Sequence, residues 1–228
     1  QEAKDFTKLA FEISEKYDTP VILRSTTRIS HSQSVVIPDK KTELPPPEGF
    51  TRDIKKYVMI PAYARLRHVE VEKRLAEITA DANTLEINRA EYRDTTVGFI
   101  TAGIAYTYVR ELYPEASILK LGMVHPMPER LIREFIEAVD RVFVVEELDP
   151  FFEMRIKSWG LTVEGKEHLP IIGELNPDRI REPLEKAGIA SGKTIHAGLE
   201  NRLTLPPRPP ALCPGCPHRM IFQKLHDL

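Results

Sequence analysis

An α/β fold with a parallel sheet is what this sequence predicts, and three observations predict it. Short apolar runs at 96–101 (TVGFIT), 117–121 (SILKL) and 141–146 (RVFVVE) have the length of strands. Segments with helical spacing of apolar residues lie between them, and that alternation builds parallel strands joined by helices that cover both faces. Proline-rich stretches at 38–50 and 204–210 bracket the alternation, so one α/β domain is expected over residues 57–190.

Taken in order, Phe6, Leu9, Ala10 and Ile13 recur at helical spacing, with Glu12, Glu15 and Lys16 on the opposite face. Thr19-Pro20 ends that helix, because proline lacks the N–H that would continue it. Val21-Ile22-Leu23 then fits a short buried parallel strand. A helix and one strand cannot bury a core, so residues 1–50 are expected to complete something larger. Residues 61–82 read as a long helix with Leu66, Val69, Leu75 and Ile78 as its buried positions. After the first strand come a helix at 104–112, the second strand, a helix at 128–138 and the third strand. Further helices are expected at 152–159 and 177–187, separated by a weak Ile171-Ile172 strand. Residues 191–210 form a stiff, proline-rich linker, and Pro217 suits the first turn of a last helix. Met220, Ile221, Leu225 and Leu228 are that helix's apolar stripe.

Composition removes several functions. The net charge is -2, from 32 basic and 34 acidic residues, so bulk attraction to nucleic acid or an anionic membrane is not expected. No apolar run approaches the ~20 residues that span a bilayer. Two cysteines in 228 residues cannot build a secreted disulfide framework, which points to the cytoplasm. Gln1 falls at the start of a helix and Leu228 inside another, so a piece of a larger protein is expected.

Both thiols sit in one knot, Cys213-Pro214-Gly215-Cys216-Pro217-His218. Two cysteines at this spacing can ligate one metal ion or cluster edge, and Pro-Gly supplies the tight turn between them. A redox dithiol at a helix N-terminus, or two inert thiols, are the alternatives. A second polar group, Arg24 to Ser32, follows the Val21–Leu23 strand, where open parallel sheets bind ligands. Its Thr26, Thr27, Arg28 and His31 could hold a carboxylate, a keto oxygen or a phosphate, or merely satisfy a polar loop. Third, the strand ends at Thr101–Gly103, Gly122–His125 and Glu146-Glu147 could assemble acid–base chemistry, although helix caps and exposed charges are the commoner use of such groups.

Four stretches, VILRSTTRISHS (21–32), LGMVHPMPERLI (121–132), VFVVEELDPFFE (142–153) and LPPRPPALCPGCPHR (205–219), resemble the large (alpha) subunit of the indolepyruvate:ferredoxin oxidoreductases. These belong to the 2-oxoacid:ferredoxin oxidoreductase superfamily. The resemblance implies oxidative decarboxylation of arylpyruvates on thiamine diphosphate and Mg²⁺, acyl transfer to coenzyme A, and electron flow through 4Fe-4S clusters to ferredoxin. A beta subunit of the same enzyme and an oligomeric assembly come with it. It further implies that residues 1–50 end a pyrimidine-binding domain and that 57–190 resemble the C-terminal domain of transketolase. Residues 211–228 would begin a diphosphate-binding domain. Cys213 and Cys216 would serve as metal ligands, Gly215 and His218 would lie at the cofactor, and Thr26, Thr27, Arg28 and His31 would face substrate or cofactor. The activating glutamate and the magnesium-binding segment have no counterpart here, so no catalytic residue is assigned and the chain alone is expected to be inactive. A stand-alone α/β assembly or metal-binding module is the alternative.

Overall fold

The structure, a computed structural model, describes residues 1–38, 49–192, 212 and 214–228. Most of the 38–50 linker, most of the 191–210 linker, and Cys213 lie outside the described residues. The chain divides into two units, Gln1–Lys193 and Thr194–Leu228.

In the first unit, β1 (Arg89–Glu91), β2 (Asp94–Ala102), β3 (Ala116–Leu121) and β4 (Arg141–Val145) form one sheet in the order β1-β3-β2-β4. β2 is central and runs parallel to both β3 and β4, while β1 closes the edge antiparallel to β3. The three parallel strands coincide with the three apolar runs of the sequence. β1, with only Ala90 as an apolar residue, has no such run. It is placed by its ladder to β3.

The described residues of the first unit hold eight helices, α1 (Glu2–Tyr17), α2 (Thr27–His31), α3 (Ile54–Tyr57), α4 (Pro61–Ala82), α5 (Gly103–Leu112), α6 (Glu129–Glu137), α7 (Phe151–Ser158) and α8 (Pro177–Lys186), and those of the second unit hold α9 (His218–His226). The strands alternate their faces. Phe99, Ile118 and Phe143 are register neighbours on the side of α5 and α8, and Phe99 stacks at 4.9 Å on Tyr113 just beyond α5. Ile100, Leu119 and Val144 face the other way and pack with Ile132 and Phe135 of α6 and with Phe152 and Ile156 of α7. All of these side chains are buried, so both sheet faces are covered. At some 25 cal/mol per Å² of apolar area removed from water, this two-sided core is the main stabilising contribution to the sheet. Gly98 lets β2 pass under α6: a Cβ there would lie 2.9 Å from Val139 Cγ1 and 3.0 Å from Phe135.

Several expectations need correction. Val21-Ile22-Leu23 forms no strand and joins no ladder among the described residues, and Ile22 is 89% exposed. Strand-like composition alone cannot bury a segment that lacks neighbouring strands. Its polar follower is not a loop throughout, since Thr27–His31 is helical. Ile171 and Ile172 form a bend and are exposed; the backbone that pairs beside β4 is Glu164, bridged to Phe143. On α4 only Ile78 of the four expected core positions is buried, with Leu75 half-buried and Leu66 and Val69 exposed. The reason is geometric: among the described residues the buried apolar cluster between α1 and α4 lies at the C-terminal end of α4, where Ile13 and Tyr17 pack with Ile78. Leu228 lies past the end of α9 rather than on it.

Candidate functional site

The chain leaves β2 toward β3, through α5, and leaves β4 the opposite way, through α7 to the Glu164 bridge. Where outgoing connections diverge, the carboxyl ends of adjacent strands open a crevice. Here that edge carries Thr101 to Gly103 on one side and Val145 to Glu147 on the other. Thr101 is fully buried, and its Oγ1 donates to the Val145 carbonyl at 2.8 Å. Gly103 turns the chain into α5 at φ +57°, where a glycine is unstrained.

The loop after β4 spends its charges internally. The buried Glu146 carboxylate accepts hydrogen bonds from the Phe152 N–H (2.8 Å) and the Glu153 N–H (3.0 Å), capping α7. Burial raises its pKa above the ordinary glutamate value, against those two bonds and the nearby Lys166 ammonium. Glu147 accepts from the Leu175 N–H at 2.9 Å. The Lys166 ammonium donates to the carbonyls of Glu146 and Pro170, and burial lowers its pKa. Glu153 is also buried, and holds the Lys157 ammonium at 2.6 Å and the Lys166 N–H at 2.7 Å. These contacts position the loop; the two carboxylates act as caps and braces rather than as an acid–base pair. Lys166 and Glu153 carry no local signal in the sequence, because the loop that brings Lys166 back is irregular.

The sequence-predicted binding residues fall in two places. In the first unit, Thr26 caps α2, while Thr27 and His31 are exposed on that helix with Arg28 between them. The Thr26 hydroxyl is buried and has no hydrogen-bond partner among the described residues, an orphan that suits a ligand or water. In the second unit, Gly215 turns at φ +79° and Cys216 precedes α9. The Cys216 Sγ lies 3.3 Å from His218 Nδ1. A thiol and an imidazole at this separation on one turn can share a soft metal. A triad of Glu164, Glu167 and His168 also brings its donor atoms within 4.8 Å, but Arg141 already spans both oxygens of Glu164.

No helix among the described residues is long and apolar enough to cross a membrane.

No family model matches the chain. Curated relatives do. The indolepyruvate oxidoreductase subunit IorA of Archaeoglobus fulgidus is 40% identical over 239 residues, those of Methanothermobacter thermautotrophicus and Pyrococcus horikoshii 36% and 37%. Each match covers 97% of this chain and 38% of the relative, so the chain spans well under half the length of the relatives it matches. Among solved structures, a 2-oxoglutarate:ferredoxin oxidoreductase from Magnetococcus marinus superposes on 56% of this chain and 23% of its own, at 17% identity and a TM-score of 0.44. Matched across nearly its whole length, the chain is a homologue of the IorA subunits of indolepyruvate oxidoreductases.

Proposed function

We propose that this chain is part of an arylpyruvate:ferredoxin oxidoreductase, which decarboxylates indolepyruvate and related 2-oxoacids oxidatively to the aryl-acetyl-CoA. The observation that carries the reading is its match to IorA subunits across 97% of its length. Thiamine diphosphate with Mg²⁺, 4Fe-4S clusters, a beta subunit, coenzyme A and ferredoxin are the cofactors and partners of this reading, and the cytoplasm its compartment. Residues 1–50 would then end a pyrimidine-binding domain, 57–190 form a domain like the transketolase C-terminal one, and 211–228 open a diphosphate-binding domain after the 191–210 linker.

On this reading Cys213 and Cys216 ligate a cluster, which when bound supplies one-electron transfer. The donor chemistry fits: Cys216 is a partly exposed free thiol beside a tight turn in which Gly215 takes a positive φ. His218, in contact with the Cys216 thiol, holds that side chain in place. Thr26, Thr27, Arg28 and His31 would orient the substrate or cofactor through hydroxyl and cationic donors. The sheet domain contributes scaffold, with the carboxylates of its acidic loop held by backbone N–H groups.

Two measurements test the reading. The assembled protein carrying this chain should reduce ferredoxin when given indolepyruvate and coenzyme A; inactivity on every arylpyruvate would overturn it. The chain alone, with thiamine diphosphate, Mg²⁺ and indolepyruvate, should form no acyl product in a single turnover, and product there would defeat its dependence on other segments. One observation favours a second reading, a module that assembles on a partner: Met220, Ile221, Phe222 and Leu225 of α9 are all more than half exposed. Light scattering that finds a well-behaved monomer would count against it.

A further inference from the structure

Lys120 is the one basic residue buried among the described residues, and the sites already described do not include it. It is the penultimate residue of β3 and pairs in register with Thr101, so it sits at the carboxyl edge where open parallel sheets take ligands. Only 7% of its side chain is exposed. Its ammonium has two partners among the described residues: the Glu2 carboxylate, to which it donates, and the Tyr106 ring, whose centroid lies 4.7 Å away. The Arg89 guanidinium approaches the same Glu2 oxygen at 3.9 Å and donates to the Tyr106 hydroxyl at 3.2 Å. Two cationic groups therefore converge on one carboxylate oxygen beside an aromatic ring.

A buried ammonium needs that anion. Without it the charge would keep only a ring face as compensation, and an unpaired buried charge is costly. Glu91 offers no substitute, because Arg89, Arg110 and the Tyr106 hydroxyl already share it. Glu2 itself is loosely held. Its side chain is half exposed, and it is the first residue of α1, where helix ends fray. The helix is anchored at its other end: Lys16 pairs with Asp81 at 2.5 Å, the Tyr17 hydroxyl donates to the same carboxylate, and Ile13 and Tyr17 pack with Ile78. The first turn can therefore lift without freeing the rest of α1. One ammonium with a more distant guanidinium matches a single negative charge, and a carboxylate is the group it already holds.

We propose that Lys120, with Arg89 and the Tyr106 ring beside it, is a binding site for a small monocarboxylate, which Glu2 occupies as a tethered competitor. A free carboxylate enters as the first turn of α1 lifts, and Glu2 turns to solvent. The site rests neither on the cysteine knot nor on the reaction of the assembled protein.

The test is a titration of the chain with sodium acetate against sodium chloride at constant ionic strength, followed by amide chemical shifts. Glu2→Ala removes the competitor and should bind acetate saturably, with shifts at Lys120, Arg89 and Tyr106 that chloride does not produce. Glu2→Gln, which keeps the length of the side chain, should do the same. The parent should bind at least about tenfold more weakly, since a tethered group competes at high effective concentration. Adding Lys120→Met to Glu2→Ala should abolish binding. Non-saturating shifts in both Glu2 variants, equal affinity in the parent and those variants, or binding that survives Lys120→Met would overturn the proposal.

Discussion

The sulfur of Cys216 lies 3.3 Å from the Nδ1 of His218, two residues on and at the first turn of α9. The proline between them sets this contact, because Pro217 fixes the backbone at φ -62° and begins the helix. Anaerobic reconstitution with iron and sulfide should give cluster absorption in the protein carrying this chain. Cys213→Ala and Cys216→Ala should each abolish it, and absorption that survives either change removes that residue as a ligand.

Glu146 stabilises through geometry rather than charge. Glu146→Ala would leave the Phe152 and Glu153 N–H groups unpaired inside the protein and remove the cap of α7, at a cost of about 2–4 kcal/mol. Glu146→Gln keeps one acceptor and should cost less than half of that. Urea midpoints of the two variants check the order, and equal losses would refute the capping role.

Two glutamates should give opposite pH dependences. The hydrogen bond from Arg141 holds Glu164 below the ordinary value of 4.5, so its contribution is complete above that pH and fades as acid reaches its folded pKa. The stability gap between the parent and Glu164→Gln should therefore shrink on acidification below about 4.5. Burial holds Glu146 above 4.5, so there the charged form is penalised on folding. Relative to Glu146→Gln, the parent should lose stability as pH rises above that value. Denaturant melts across pH 3–8 would read both slopes, and parallel slopes would contradict the assignment.

Gly98 is a packing requirement. Gly98→Ala would drive a methyl against Val139 and Phe135 and cost about 1–3 kcal/mol, the range for overpacked cores. Val139→Ala in the same chain should return part of that loss. A double-mutant cycle with no coupling would show that β2 and α6 separate more easily than their packing indicates.

Much of the sheet was legible because burial on both faces leaves short stretches rich in apolar residues, and β2, β3 and β4 each hold one. Helices α5 to α8 followed from spacing and from the proline before each of α6, α7 and α8 or at its first turn. The edge strand β1 was not legible, since a three-residue strand with one apolar side chain carries no period. Nor were Leu66 and Val69, apolar at helical spacing yet exposed, because a sequence does not say how much of a helix its neighbours reach. The site divides in the same way. Cys216 and His218 are two residues apart, so proximity was guaranteed by covalent chemistry. Lys166 reaches the Glu146 carbonyl from twenty positions away, and only the folded loop brings them together.

By itself, then, the sequence determined the α/β class, the three parallel strands with the helices between them, and the kinship with IorA subunits, all of which rest on local pattern or on short ordered motifs. The tertiary structure decided which charges were left to act. It placed Glu146, Glu147 and Glu153 against backbone N–H groups of a loop, where desolvation and hydrogen bonding confine them to structural work. That outcome could not be read along the chain, because electrostatic energy depends on distance and burial, and long-range folding sets both.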